Sequence, residues 1–397
     1  MTDIRRNPVN APSPGGASAP PPRPSPSVAE GLYRMRAVLV HDWLTGMRGG
    51  ERVLELLCET FPDAPIYTLI HNPEAVSGTI NRHPVFPSFL QKIPGIFTRY
   101  RLFLPLFPTA AESLPIPPAD IVISTSHCVA KGVRVPRGTP HLCYCFTPMR
   151  YVWVFAGDYF GSNPMVRAIS MPLLRYLRSW DLRSADRVDF FVAISQHIQR
   201  RIEACYHRPA RVVYPPVNLD FFTPDPHLTR EEFDLIVSAL VPYKRIDIAI
   251  RAYNQLGYPL KIVGTGTEYR QLKKLAASHI EFLGQLSDEE VRNLYRRARF
   301  VIFPGEEDFG LVPLEAQACG TPVIAFDRGG VQETVMAGRT GHLFDSQDPR
   351  SLATAVEKAA GQEWNPALIR RNAEKFSVNT FLAELARCVT ECIASRA

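Results

Sequence analysis

FPGEEDFGLVPLEAQACG, residues 303–320, decides the reading of this chain. Seven residues separate Glu307 from Glu315, with a Phe-Gly turn and a helix start between them. The apolar run RFVIFP leads in, and TPVIAFD follows after a glycine. Strand, loop, helix and strand in that order present a helix N-terminus to a bound phosphate. Glutamates near such a point can accept hydrogen bonds from sugar or ribose hydroxyls. A phosphate site beside hydroxyl acceptors points to chemistry on a nucleotide sugar.

The same alternation extends in both directions. Upstream, DLIVSAL, PLKIVGTG and IEFLG read as strands, with RIDIAIRAYNQL, EYRQLKKLAAS and DEEVRNLYRRA as helices between them. Downstream come GHLFD and SLATAVEKAA. Short apolar strands alternating with helices of about ten residues predict a doubly wound parallel sheet. The first half repeats the pattern: RAVLVHD, a Gly-rich turn and helix MRGGERVLELLCETF, then IVIST, LCYCF, FFVAIS and RVVYP. In SQHIQRRIEACY, Ser195 is placed to cap a helix. Pro215-Pro216 and the irregular NLDFFTPDPHLTREEF mark a boundary. The predicted fold class is α/β, two doubly wound Rossmann-like domains facing across a cleft. The domains are 35–215 and 216–376, with an amphipathic terminal helix over 377–397. Residues 1–34 form a Pro-rich tail without a secretory h-region, expected to be disordered.

Composition narrows the class. The chain has 397 residues, 46% hydrophobic and 21% charged, with a formal charge of +6. That suits a two-domain globular protein, and the basic excess is too local for a nucleic-acid footprint. Eight cysteines lack metal spacing and read as buried thiols. No 18-residue apolar run appears, so no spanning helix is expected.

Other constellations lie where strands hand over to helices. Gly49-Gly50-Glu51 allows close backbone approach ahead of a helix N-terminus, and a plain glycine turn explains it equally well. Lys244 and Arg245 follow the first strand of the second half. Cations at a helix start cost energy unless an anion is near, which favours a diphosphate there. Gly264 and Gly266 are accounted for by turn geometry. Acids such as Glu306, Glu307 and Asp308 before a helix complement its dipole. Glu315, inside an apolar stretch, needs polar partners. His127 and His41 each follow a strand, and the residues alone do not choose between them. No D-x-D pair occurs, so no metal is expected, and charge stabilisation falls to Lys244, Arg245 and helix ends. The pattern also calls for no cofactor, since neither GxGxxG nor its acidic partner is present. FLQKIPGIFTRYRLFLPLFP (89–108) mixes bases with Phe, Leu and Ile; it fits either an anionic membrane surface or a core segment with snorkelling bases.

Taken in order, these pieces resemble the retaining glycosyltransferases of family 4, which have the GT-B architecture. The resemblance runs over most of residues 35–385: the glycine turn at Gly50, VVYPPVNLDFF, ALVPYK, IVGTGTEYRQL, FLGQLSDEEV and the E-x7-E element from Glu307 to Glu315. YCFTPMRYVW with VPYKRID is similar to the subgroup acting in bacterial surface polysaccharide assembly, often mannosyltransferases using GDP-mannose. The resemblance implies that Glu307 contacts the transferred sugar and Glu315 the ribose. Gly50 and Lys244, with the amides around Gly310 and Leu311, would bind the diphosphate. Gln285 and Leu286 would lie near the base, His127 beside the donor sugar, and the terminal helix would cross back onto the first domain. Two departures stand out. Ala239 replaces a frequent arginine, leaving Lys244 and Arg245 to carry the diphosphate charge, and Phe146 replaces a frequent histidine. The implied partners are a nucleotide diphosphate sugar, a lipid-linked or other saccharide acceptor and an anionic membrane, with no nucleic acid. The implied location is cytoplasmic, peripheral at the inner membrane face. Alternatives on the same architecture are an epimerase, a phosphorylase or a non-catalytic sugar-nucleotide-binding subunit.

Overall fold

A computed structural model describes residues 31–32, 34–153 and 164–396; the Pro-rich stretch 1–30 lies outside the described residues. Two parallel sheets organise them. The first contains β1 (Ala37–His41), β2 (Ile66–Thr68), β3 (Val85–Pro87), β4 (Ile121–Ser126), β5 (His141–Cys145), β6 (Phe190–Ala193) and β7 (Ala210–Val212), in the order β3-β2-β1-β4-β5-β6-β7. The second contains β8 (Asp234–Val237), β9 (Leu260–Val263), β10 (Ile280–Gly284), β11 (Val301–Phe303), β12 (Val323–Phe326) and β13 (Gly341–Phe344), in the order β10-β9-β8-β11-β12-β13. The central strands β1, β4, β5 and β12 are buried at every position. Helices cover both faces of such a sheet, so its strands read as unbroken apolar runs rather than alternating ones.

The helices that carry the argument are α1 (Gly49–Thr60), α2 (Pro164–Ala185), α3 (Gln196–Tyr206), α4 (Ile246–Leu256), α5 (Tyr269–Leu275), α6 (Asp288–Arg297), α7 (Leu311–Ala318), α8 (Pro349–Ala360), α9 (Pro366–Glu374) and α10 (Val378–Ala394). Their starts are chemically marked. Ser195 Oγ accepts Ile198 N–H at 3.1 Å to open α3. Ser287 and Glu290 form a reciprocal capping box on α6, and Asp348 caps α8 just before Pro349.

In both sheets the strand order reverses beside the first strand, β1 in one and β8 in the other. Loops leaving the carboxyl ends of strands there are where open α/β folds bind ligands. The chain passes between the sheets twice, and the crossings touch: Val217 N–H donates to Phe376 O at 2.9 Å. Helix α10 then lies on β5 and β6 of the first sheet. It buries Phe381, Leu382, Leu385, Cys388, Val389 and Cys392, with the Phe381 ring edge-on to Tyr144 at 5.7 Å.

All eight cysteines are buried and free. Among the described residues no helix is long and apolar enough to cross a membrane.

Candidate functional site

The loops after β8, β9, β11 and β12 pack backbone against backbone, and glycines make that possible. A Cβ on Gly264, whose φ is +130°, would sit 1.9 Å from Ser238 O, and one on Gly266 would sit 2.2 Å from Leu240 O. Gly305 presses on the backbone of Lys244, and Gly330 on that of Phe309. No side chain fits at these contacts. The loop bearing Glu307 is thereby pinned between the Lys244 turn and the 329–330 turn, with Gly330 N–H donating to Glu307 O at 2.8 Å.

That packing brings Lys244 Nζ against Glu307 Oε1 as an ion pair, each side chain less than one fifth exposed. Burial pulls the Lys244 amine down to about 7, the nearby Arg150 charge adds to this, and Asp308 opposes it. The Glu307 carboxylate beside it also favours the ammonium form. Arg245 is turned elsewhere: its guanidinium bonds Asp247 Oδ1 at 3.2 Å and Gln347 Oε1 at 3.3 Å. Its φ of 53° places a non-glycine residue in the left-handed region at the start of α4.

Two helix N-termini from opposite units approach each other through the side chain of Leu311, four residues after Glu307. Gly310, at φ 98°, opens α7, and a Cβ on Gly49 at the start of α1 would lie 3.3 Å from Leu311 Cδ1. Gly50 beside it faces Phe146 and His41. Each of these neighbouring helix starts carries the partial positive charge of a helix N-terminus. Behind Leu311, Glu315 sits in a pocket with Gly49, Arg52, Asp288 and Phe221. Tyr295 Oη donates to Glu315 Oε2 at 3.0 Å. Burial raises the Glu315 carboxyl above its usual range, with Arg52 opposing. Gln285, exposed, and Leu286, half-buried, follow β10 immediately before the α6 cap.

The facing wall is aromatic. His127 lies 31% exposed with Nδ1 3.0 Å from Asp42 Oδ2. Trp43 meets its ring edge-on at 4.4 Å, and Phe146 is 6.4 Å away. Burial lowers the His127 imidazole below its ordinary value. His41, fully buried, bonds Thr125 Oγ1 through Nδ1 at 2.7 Å. Its Nε2, 3.9 Å from Glu51 Oε1, has no hydrogen-bond partner. Burial pushes the Glu51 carboxyl up, but His41, a backbone hydrogen bond and His127 together outweigh it and leave Glu51 below its usual range.

Asp308, next to Glu307, belongs to neither wall alone. Arg150 and Arg201, both from the first unit, clasp it, Arg201 Nη1 at 2.8 Å from Oδ1. Ser195 Oγ donates to Asp308 O at 2.6 Å, and the Gln196 and His197 amides at the start of α3 donate to Glu333 at 2.8 and 3.0 Å. Burial would raise the Asp308 carboxyl, but the two arginines outweigh it and hold it down. Sequence reasoning treated Asp308 only as a dipole partner and missed Arg150, Arg201 and Glu333, because their meeting depends on how the two sheets face each other. Among the described residues no group of three or more His, Cys, Asp or Glu side chains is disposed to hold a metal ion.

Known proteins match parts of the chain. Residues 222–376 match the family described as glycosyl transferases group 1. The chain is 35% identical over 284 residues to a D-inositol 3-phosphate glycosyltransferase of Mycolicibacterium smegmatis, covering 63% of this chain and 62% of that one. It is 31% identical over 204 residues to a GDP-mannose-dependent alpha-(1-6)-phosphatidylinositol monomannoside mannosyltransferase of the same organism, covering 44% and 53%. The chain thus matches little more than half the length of these curated relatives. Among solved structures, sucrose-phosphate synthase from Thermosynechococcus elongatus superposes with a TM-score of 0.69 at 19% identity, over 90% of this chain and 99% of that one. The chain is a two-sheet GT-B protein whose second half carries a glycosyl transferases group 1 domain.

Proposed function

We propose that the chain is a retaining glycosyltransferase. It would move a hexose, with mannose from GDP-mannose as the leading choice, from a nucleotide diphosphate sugar to a lipid-linked saccharide in bacterial surface polysaccharide synthesis. The Lys244–Glu307 pair, with Glu307 in the loop that leads into the N-terminus of α7, is the observation that carries this reading. A diphosphate there meets the Lys244 ammonium and the amides at the start of α7, while Glu307 accepts hydroxyls of the sugar. The mannose assignment draws on the relative that uses GDP-mannose.

In this reading the bond from the anomeric carbon to the β-phosphate oxygen breaks first. Charge grows on the leaving diphosphate, and Lys244 and the helix ends stabilise it more than they stabilise the bound donor. The acceptor hydroxyl oxygen bonds to the same face of the sugar, and its proton passes to the departing phosphate oxygen. Tyr295 orients Glu315 for the ribose hydroxyls, Arg52, ion-paired with Asp288, lies in the same pocket, and Gln285 and Leu286 flank the base. The chemistry as drawn uses no metal and no cofactor.

A lipid-linked acceptor is supported by the surface of segment 89–108. Leu90, Ile96, Tyr100, Leu104 and Phe107 pack inward beneath Trp43. Phe89, Phe97, Leu102 and Leu106 face outward with 40–76% exposure, among the exposed bases Lys92, Arg99 and Arg101. No Asp or Glu occurs between Glu74 and Glu112. An apolar face ringed by bases suits an anionic lipid surface, which gives a peripheral position at the inner membrane face. Vesicles with anionic lipid should sediment the chain, and Leu102→Ser with Phe97→Ser should release it; equal binding to neutral vesicles would count against this.

The test of the activity is release of free nucleoside diphosphate from a panel of sugar nucleotides. Release that requires a lipid-linked saccharide supports transfer. Conversion of the nucleotide sugar without acceptor would point to an epimerase instead, and no turnover with any pair would refute the proposal.

A further inference from the structure

We propose that Arg150, carried by the first unit, is the second cation of the diphosphate site: its guanidinium reaches across the cleft and hydrogen-bonds the β-phosphate beside Lys244. The proposal rests on the functional reading given above. A diphosphate that leaves a sugar gains charge, and one ammonium is a point charge without the planar fork that matches phosphate oxygens. The next residue, Arg245, is spent on Asp247 and Gln347. Arg150 is placed differently. Its Nε–H donates to Asp308 Oδ2 at 3.1 Å and its Nη2 pairs with the same oxygen. Asp308 is the neighbour of Glu307, which holds Lys244. Arg150 and Lys244 also approach one ring: Lys244 Nζ lies 5.3 Å and the Arg150 guanidinium carbon 6.0 Å from the centre of Tyr243. Burial first, and then the Arg150 charge, lowers the Lys244 amine. Two cations held this near repel each other, and an anion between them recovers that cost.

The turn after β5 holds Arg150 in place. Met149, just before it, is buried in the cluster that contains Trp43. Arg150 opens a short helix, Arg150–Trp153. At its far end Trp153 Nε1 donates to Asp181 Oδ2 at 2.7 Å, and Asp181 is wholly buried and paired with Lys131. The helix is thus pinned on both sides of the guanidinium, as a preorganised site requires. Arg201 anchors Asp308 independently: it donates to Asp308 Oδ1 at 2.8 Å, Thr147 Oγ1 at 3.1 Å and His197 Nε2 at 2.8 Å. Asp308 therefore keeps a cationic partner when Arg150 engages a phosphate, and no buried carboxylate is left bare. A guanidinium has five N–H donors, so it can serve a carboxylate and a phosphate together. The diphosphate is then gripped from both units, by Lys244 on one side and Arg150 on the other.

The test compares GDP with GMP, and UDP with UMP, by calorimetric titration into the full chain and into Arg150→Met. Only the diphosphates carry a β-phosphate. The variant should lose about 10-fold or more in affinity for the diphosphate and keep its affinity for the monophosphate. Equal losses for both would assign Arg150 to joining the units through Asp308, and no loss for either would remove it from the site; each result overturns the proposal. Arg150→Lys should recover part of the diphosphate affinity, as a charge without the fork. Should Arg150→Met fail to fold, Arg150→Gln is read in the same way. Proton uptake gives a second readout. Glu307, Asp308 and Arg150 are the charges around Lys244, and Arg150→Met removes the positive one. The free amine then titrates higher, more of it is charged at about pH 8 before binding, and uptake on binding GDP shrinks. Unchanged uptake would contradict the proposal. If the unaltered chain binds no nucleoside diphosphate, the functional reading fails; if it binds one and Arg150→Met binds it equally well, the assignment of Arg150 alone fails.

Discussion

The two walls of the cleft are built by different means. The second wall is made of backbone: Gly264, Gly266 and Gly330 let loops approach so closely that a single methyl group would collide with a main-chain atom. It presents one ammonium, one carboxylate and helix amides at fixed positions. The first wall is made of side chains, His41, Trp43, His127 and Phe146, carried by three separate strand ends and keyed by one buried carboxylate. A diphosphate is the same in every sugar nucleotide and suits a rigid cradle of amides. Sugars and acceptors differ in shape, and a wall of exchangeable side chains can be refitted without disturbing the cradle.

Substitutions on the second wall should therefore break binding and turnover. Glu307→Ala removes the carboxylate paired with Lys244. It should lower turnover by about 100-fold or more, measured as acceptor-dependent diphosphate release. Near-normal activity would remove Glu307 from the sugar. Gly264→Ala adds a methyl against Ser238 O at a positive φ. It should destabilise the second unit by about 2 kcal/mol or more, read from urea unfolding, and weaken nucleotide binding with it. Unchanged unfolding would show that this wall yields more than its packing implies.

Smaller effects sharpen the contrast. Glu315→Ala should weaken nucleoside diphosphate binding by about 10-fold with kcat less affected, since the lost hydroxyl contacts exist before and during the reaction alike. Unchanged affinity by calorimetry would contradict the ribose assignment. Lys244 provides a finer probe. Burial holds the free amine near 7, so at about pH 8 most of the population is neutral. A bound diphosphate favours the ammonium and raises that value. Binding at about pH 8 should then take up a fraction of a proton, while at about pH 6 the amine is already charged and uptake vanishes. Titrations in buffers of different ionisation enthalpy measure this, and Lys244→Met should abolish it.

The contrast also explains what could be read without the structure. The second wall was legible because glycines, an apolar strand and a helix start are local signals. Glu307 follows the end of β11 by four residues, Gly310 marks the start of α7 with Glu315 inside it, Lys244 follows the end of β8 by seven residues, and the structure brings Lys244 and Glu307 together. Arg245 is adjacent to Lys244, yet a backbone twist sends it to Asp247 and Gln347, which spacing does not reveal. The first wall was barely legible, since His41 and His127 look alike as residues after strands. Only the coordinates distinguish them: His41 is fully buried, His127 reaches the cleft and Asp42 joins the latter across 85 residues. Helix α2 went unread as well, with Pro172 inside it and basic residues scattered along an apolar pattern. The membrane-or-core question over 89–108 had no sequence answer because the segment has two faces, one beneath Trp43 and one exposed.

Calorimetric titration of nucleoside diphosphates into the unaltered chain and into Lys244→Met tests the central claim most directly. The account expects one nucleoside diphosphate to bind the unaltered chain and the variant to lose about 10-fold or more in affinity, the worth of a charge-assisted contact. Binding of none of them, or equal affinity in both proteins, would contradict it.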